Sequence, residues 1–437
     1  MRLQTMAVAA RSSAARTAAT GLVRPFAASP ISARLSSCRG GPFASTPAGI
    51  RWKSGPYGYT QAKALYFSRP AEPIDALHLH THSISPGLPA GAVLVRTLAA
   101  PINPSDVNVI QGTYGSKPEY STLLGTPEPA VVPGNEGCFE VVSVGPSVSG
   151  LARGDWVIPA TTGFGTFRTH ALVENADKAL LKIDRAGLTP LQAATVSVNP
   201  CSAFRMLRDH VDLVALSMKR FASPGPAPKG GAWFVQNGAN SGVGRAAIQL
   251  GRLWGLRSIN VVRERATPEE TAALKQDLTD LGATVVVTDK EFLDRKAGSE
   301  LLQSLTDGGA DPLLLGLNCV GGKSAANMVR WLSPGGTMVT YGGMSRESFP
   351  FPTGPQIFKR LKFEGFWLSE WSKENPRAKQ QTVNEILDLI RQGKFKDVPF
   401  EEIPWSWETE EKVLKEAVQG TLEGFRNGKG VFVFGET

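Results

Sequence analysis

The chain has 437 residues, 20% charged and 42% hydrophobic, an ordinary globular composition with room for two or three domains. Its net charge of +8 does not argue for nucleic-acid binding: residues 1–54 hold seven Arg and one Lys with no acidic residue, and the rest balances 39 basic against 39 acidic side chains. No apolar run is long enough to span a membrane. The scattered Cys38, Cys138, Cys201 and Cys319 form no Cys-x-x-Cys pair, so neither a zinc knot nor a disulfide framework is suggested.

Residues 1–53 are rich in Arg, Ser and Ala and lack the apolar core of a secretory signal. This is the composition of a mitochondrial transit peptide, which predicts the matrix as destination; a disordered basic arm is the alternative. Ala62–Phe67, Asp75–Ile84 and Ala92–Ala100 read as short strands of a small β domain. His78, His80 and His82 alternate, so on a strand they share one face. A surface strand explains them better than a metal site, since no further ligand converges in the sequence. Pro101-Ile-Asn-Pro-Ser-Asp106 is a loop in which Ser105 or Asp106 caps a short helix through Gln111. Tyr114, between Thr113 and Gly115, is presented on a loop.

Cys138–Val144, Trp156–Pro159, Phe167–Val173 and Lys182–Ile183 supply more strand. A helix opens at Thr189, is interrupted at Asn199-Pro200 and resumes at Cys201–Asp209. Residues 221–231 form a Pro/Gly-rich surface loop. A strand (Ala232–Val235), a Gly-rich turn (Gly238–Gly244), a helix (Ala246–Trp254) and a strand (Ser258–Val262) then follow within about 30 residues, the dinucleotide-binding layout. Glycine lets the backbone approach a pyrophosphate, whose charge the free N–H groups of a helix start accept. Where an NAD site carries an acidic residue for the ribose 2′-OH, this chain has Arg263-Glu-Arg265. Two guanidiniums suit a 2′-phosphate, and Glu264 can point away on an alternating segment, which favours NADPH. A solvated charged loop is the plainer alternative. Beyond it, helices at Pro268–Leu281, around Leu301–Leu305 and at Ser324–Leu332 alternate with strands at Thr284–Val287, Leu313–Asn318 and Thr337–Tyr341, so the sheet should be parallel and doubly wound. Gln380–Gln392 is an amphipathic helix, and Gly430–Phe434 is a final strand.

Placed together, these pieces resemble the medium-chain dehydrogenase/reductase superfamily, and most of all its mitochondrial trans-2-enoyl-CoA/ACP reductases. The resemblance runs from about residue 60 to the end of the chain. It rests on Ile102-Asn-Pro-Ser-Asp106 with Gln111-Gly-Thr-Tyr-Gly115, Val198–Leu207, Gln236–Gly244, Ile259–Arg263, Tyr341-Gly-Gly-Met344 and Gly365-Phe-Trp-Leu-Ser369. The resemblance implies an α/β fold: a GroES-like β domain plus a doubly wound Rossmann domain. The expected divisions are residues 54–199, 200–370 and 371–437, with the last part rejoining the first. It implies NADPH-dependent reduction of an enoyl thioester on acyl carrier protein or CoA, by a homodimer.

Tyr114 is implied as proton donor to the α carbon; a phenol, with pKa about 10, keeps its proton at neutral pH. For the cofactor the resemblance points to Asn199, to Asn240, Ser241, Gly242 and Val243 at the pyrophosphate, and to Arg263, Glu264 and Arg265 at the 2′-phosphate. Tyr341, Gly342, Gly343 and Met344, with Phe366, Trp367, Leu368 and Ser369, belong beside the nicotinamide. Lys429 is also implied, although Asn-Gly-Lys-Gly suits a plain turn. Trp367 suits either an acyl pocket or a core. No metal is expected, because Gly134-Asn135-Glu136 stands where zinc-dependent alcohol dehydrogenases carry Gly-His-Glu. The rival readings are a quinone or alkenal reductase and a non-catalytic NADPH-binding protein.

Overall fold

The computed structural model describes residues 58–213, 231–422 and 428–435. The transit-peptide segment and most of the loop at 221–231 lie outside the described residues. Fifteen strands among those described form three sheets. Strands β1 (Thr60–Tyr66) and β2 (His78–Ile84) make an antiparallel ribbon. A seven-stranded sheet combines β3 (Val93–Pro101), β4 (Cys138–Val144), β5 (Trp156–Pro159), β6 (His170–Val173) and β7 (Leu180–Ile183) with two strands from the far end of the chain. The third sheet holds β8 (Trp233–Gln236), β9 (Arg257–Val262), β10 (Val285–Thr288), β11 (Leu313–Asn318), β12 (Thr337–Thr340) and β13 (Lys362–Gly365). The late strands of the seven-stranded sheet are β14 (Phe400–Trp405) and β15 (Lys429–Phe434); β15 pairs antiparallel with β3.

All pairings in the six-stranded sheet are parallel, in the order β10-β9-β8-β11-β12-β13. That is the doubly wound order 3-2-1-4-5-6, whose switch point falls between β8 and β11. Both central strands are covered by helices, which is why Trp233-Phe-Val-Gln236 is buried at every position. Phe234, Ala247, Leu250, Leu315 and Val339 share one core with Phe204 and Leu207 of the helix Asn199–Asp209. Phe67, Ile102, Phe167, Trp405 and Phe432 fill a separate core in the β-rich lobe.

Several local expectations are corrected. Asp75 and Ala76 belong to a one-turn helix, Pro73–Ala76, because a proline at the first helical position stabilises the turn before β2 starts. Asn199-Pro200 opens a helix rather than interrupting one, since Pro200 lies in the first turn, where no backbone N–H is needed. The residue before the helix Pro104–Ile110 is Asn103, not Ser105 or Asp106; the Asp106 carboxylate accepts from Asn103 N at 2.7 Å. Strand β6 starts only at His170, whereas Phe167 O accepts from Leu65 N of β1. The three histidines do sit on β2, with the His80 and His82 rings stacked. His80 reaches the Leu124 carbonyl, and burial lowers His82 to a pKa of about 4.

Candidate active site

The carboxyl ends of β8, β9, β11, β12 and β13 form one rim, the edge at which parallel sheets bind ligands. After β8, Gly238 turns the chain with φ +62°, and Ser241 caps the helix Gly242–Leu253 by accepting from Gly244 N at 3.1 Å. The turn tolerates only glycine at Gly244, where an added Cβ would lie 2.5 Å from the Ala239 carbonyl oxygen. At Gly242 the added atom would lie 2.9 Å from Nδ2 of Asn199, so Asn199 rests directly on the first helical residue. Asn240 accepts from Arg245 Nε at 2.9 Å, and Arg245 is clamped in turn by Asp277. Val243 is buried in the core; its side chain anchors the turn rather than lining the rim.

Past β9, Arg263 is exposed and Arg265 is partly buried. Burial lowers the Arg265 pKa, and the neighbouring Arg263 charge lowers it further. Two adjacent guanidiniums repel, and an anion between them relieves the repulsion. Glu264 does not cancel them, because its carboxylate turns to Lys290.

The loop after β12 runs beside the end of β11: Tyr341 N donates to Asn318 O and Met344 N to Cys319 O. Gly342 passes within 3.2 Å of the Cys319 carbonyl, measured from the Cβ it lacks. The Tyr341 hydroxyl is buried, beside the Cys319 thiol and the Ser241 hydroxyl of the Gly-rich turn. Burial raises its pKa well above the ordinary phenol value, so it stays protonated. Gly343 has open space around it, and Met344 is 51% exposed.

After β13 the side chains diverge. Phe366 and Leu368 pack into the core, leaving their backbone to the rim. Ser369 Oγ accepts from Thr162 Oγ1 of the β-rich lobe at 2.6 Å. Trp367 points outward, 41% exposed. Its indole Nε1 donates to the Tyr114 hydroxyl at 3.0 Å, and the two rings meet edge to face. Tyr114 reaches that position because Gly112, at φ +69°, ends the helix Pro104–Ile110 and reverses the chain. Thr113 N and Tyr114 N both donate to Asn108 O, which holds the reversal. Beside it, Arg346 donates to Gln111 at 3.3 Å. Tyr114, Asn199, Lys429 and the β13 rim are thus all placed where the two lobes meet.

Two residues at this junction were given no role by sequence reasoning. Glu136 is fully buried and ion-paired with Lys429 at 3.0 Å. Asn103 donates to Glu136 at 2.9 Å and accepts from Lys429 at 2.7 Å and Asn199 at 3.1 Å. The signal was present in Asn103-Pro-Ser-Asp106 and Gly134-Asn-Glu136, but nothing local joins the two stretches. Asn135, at the position of the missing histidine, spends its amide on Ser105, Asp106 and Gly163 N. Among the described residues, no three His, Cys, Asp or Glu side chains are grouped to hold a metal ion.

A GroES-like lobe beside a 3-2-1-4-5-6 parallel sheet defines a medium-chain dehydrogenase/reductase. The comparisons agree: residues 89–185 match the alcohol dehydrogenase GroES-like domain, and residues 242–391 match the family described as zinc-binding dehydrogenase. The chain is 45% identical over 333 residues to the mitochondrial enoyl-[acyl-carrier-protein] reductase of Yarrowia lipolytica, covering 76% of this chain and 81% of that one. Among solved structures it is similar to the Etr1p/NADP/crotonyl-CoA complex, with TM-score 0.76 and 38% identity over 85% of this chain and 99% of that one. The mitochondrial 2-enoyl thioester reductase Etr1p/Etr2p heterodimer from Candida tropicalis matches with the same score, identity and coverage. The chain belongs to the mitochondrial enoyl-[acyl-carrier-protein] reductase family.

Proposed function

We propose that this protein reduces trans-2-enoyl thioesters to saturated acyl thioesters with NADPH, in the mitochondrial matrix, as the last step of a fatty acid synthesis cycle. The observation that carries the reading is the Tyr114 hydroxyl, set by the β-rich lobe against Trp367 just beyond the carboxyl end of β13. Family membership supplies the reaction class.

The residues fit NADPH. The turn into Gly242-Val-Gly244, with its glycine-only position at Gly244, brings a helix N-terminus to the rim, where a pyrophosphate is bound through backbone N–H groups. The buried Tyr341 hydroxyl lies beside that turn, next to the Ser241 hydroxyl. Arg263 and Arg265, close enough for the charge of one to act on the other just past β9, support a 2′-phosphate there over a hydroxyl. Asn199 and Lys429 belong to the same cradle; Phe366 and Leu368 contribute backbone and packing.

When bound, NADPH supplies the hydride that the β carbon of the enoyl group accepts. The chain supplies the proton for the α carbon, from Tyr114. The Trp367 N–H is directed at the Tyr114 oxygen, so the phenol keeps its own proton for delivery. Trp367 also presents a flat apolar face at the opening, suited to an acyl chain. Acyl carrier protein is the proposed carrier, with CoA thioesters accepted in its place.

We also propose a homodimer. Strand β13 is an edge of the parallel sheet, and the helix Thr353–Lys359 just before it leaves Ile357 and Phe358 at 61% and 86% exposure. An open edge beside large exposed apolar side chains is stable when another copy covers it.

The test is NADPH oxidation by purified protein against crotonyl-CoA, a quinone and an alkenal. Rapid oxidation with crotonyl-CoA is the expected result. Turnover of the quinone or alkenal with none of crotonyl-CoA would replace this reading with the rival one.

A further inference from the structure

We infer that Glu136 is a positioning residue for the cofactor site, fixing Lys429 and Asn199 against the start of the nucleotide helix. The inference rests on the NADPH reading above and extends it to a residue that never reaches the rim.

Glu136 enters from the turn before β4 and is completely buried. Both its oxygens are used. Oε1 accepts from Lys429 Nζ at 3.0 Å and from Asn103 Nδ2 at 2.9 Å. Oε2 accepts from Val198 N at 3.0 Å and from Ser197 Oγ at 3.4 Å. Val198 is the residue before the helix Asn199–Asp209, so one carboxylate holds both the Lys429 ammonium and the backbone that launches Asn199. Asn103 completes the link, because its Oδ1 accepts from Lys429 and Asn199 together. Asn199 then lies against Gly242, the first residue of the nucleotide helix.

The connection spans four separated chain segments and converges on two groups assigned to the cofactor. A largely buried ammonium needs a counter-charge to keep one position, and Glu136 is the carboxylate hydrogen-bonded to Lys429. Without it Lys429 can swing out along its flexible stem, and Val198 N loses its acceptor. Both effects loosen Asn199 and Lys429 without touching Tyr114 or Trp367. In the zinc-dependent pattern a glutamate also follows the ligand histidine; here the histidine is Asn135 and the glutamate serves a lysine.

The test uses the full chain and reads NADPH binding directly, by fluorescence titration, beside steady-state turnover of crotonyl-CoA. Glu136→Gln keeps the shape and removes the charge. Its dissociation constant for NADPH should rise roughly 10-fold or more, with kcat at saturating NADPH changed by less than about 3-fold. Lys429→Met should weaken binding similarly. The double variant should bind no worse than Lys429→Met alone, because residues acting through one another do not add. Unchanged affinity in Glu136→Gln, or losses that multiply in the double variant, would overturn the inference. If Glu136→Gln does not fold, the double variant, free of any unpaired buried charge, carries the test by comparison with Lys429→Met: equal affinity in the two supports the inference, and a further loss in the double variant overturns it. Failure of the unmodified protein to bind NADPH would instead remove the cofactor reading itself.

Discussion

The indole N–H of Trp367 donates to the hydroxyl oxygen of Tyr114 at 3.0 Å, joining two residues 253 positions apart across the meeting of the lobes. The donor direction matters. The Tyr114 oxygen accepts, so its own proton is not consumed by Trp367. Tyr114→Phe keeps the ring and its edge-to-face contact while removing the O–H. Turnover of crotonyl-CoA should fall by roughly 10²–10⁴-fold, the usual size of general acid catalysis. The affinity for NADPH should stay unchanged. A Phe variant running at the unmodified rate, with chemistry rate-limiting, would return Tyr114 to a packing role.

Arg263 and Arg265 are the residues proposed to carry the cofactor preference. Replacing both with Ala should raise the Michaelis constant for NADPH far more than that for NADH. Each charged contact contributes about 1.5–3 kcal/mol, or roughly 10- to 100-fold in affinity. Glu264 should not take over the ribose, because it is already engaged by Lys290. Equal use of both cofactors by the unmodified enzyme would refute the assignment.

The nucleotide unit was legible because its pieces are contiguous: an apolar strand, a glycine turn and a periodic apolar helix. Its helix begins at Gly242, earlier than read, since Gly242-Val-Gly244 has poor helix propensity and only the Ser241 cap and tertiary packing make it helical. Strand β13, two residues from Trp367, was not read: Lys362-Phe-Glu-Gly365 is short and polar and owes its state to pairing with β12. The Glu136 network was invisible for a different reason. Its members come from residues 103, 136, 197–199 and 429, and a hydrogen bond between them leaves no periodicity in the chain. Tyr114 was found through its motif; its partner at Trp367 needed the fold.

Phe358 should report on assembly. At 86% exposure it contributes nothing to the monomer core, so Phe358→Glu should leave thermal stability of the fold almost unaltered. Placed at a two-copy interface, a charge without a partner should shift the dimer toward monomer by roughly 10-fold or more in dissociation constant. Sedimentation velocity across a dilution series reads this. A variant that remains as dimeric as the unmodified protein would move the proposed interface elsewhere.

The last prediction concerns Asp106, which is buried behind Glu136 and accepts from Asn103 N and Asn135 Nδ2. Burial raises its pKa from 3.8 to about 7, the Glu136 charge adds to the rise, and the hydrogen bonds and Lys429 oppose it. Between those two values the folded protein holds a proton on Asp106 that the unfolded chain has released. Folded protein therefore binds more protons, and stability must fall as pH rises through this window, levelling off above about 7. A full one-proton difference gives a slope of about 1.4 kcal/mol per pH unit. His82 and His170, both lowered to about 4 by burial, act in the opposite sense, since they stay neutral in the fold while charging in the unfolded chain. Their contribution is common to both proteins when the unmodified chain is compared with Asp106→Asn. The comparison should therefore show the unmodified protein losing stability relative to Asp106→Asn as pH is raised from roughly 4 to 7, measured by urea unfolding at each pH. Parallel stability curves for the two proteins would mean that Asp106 is ionised in the fold throughout, with Lys429 and the two amide donors outweighing its burial.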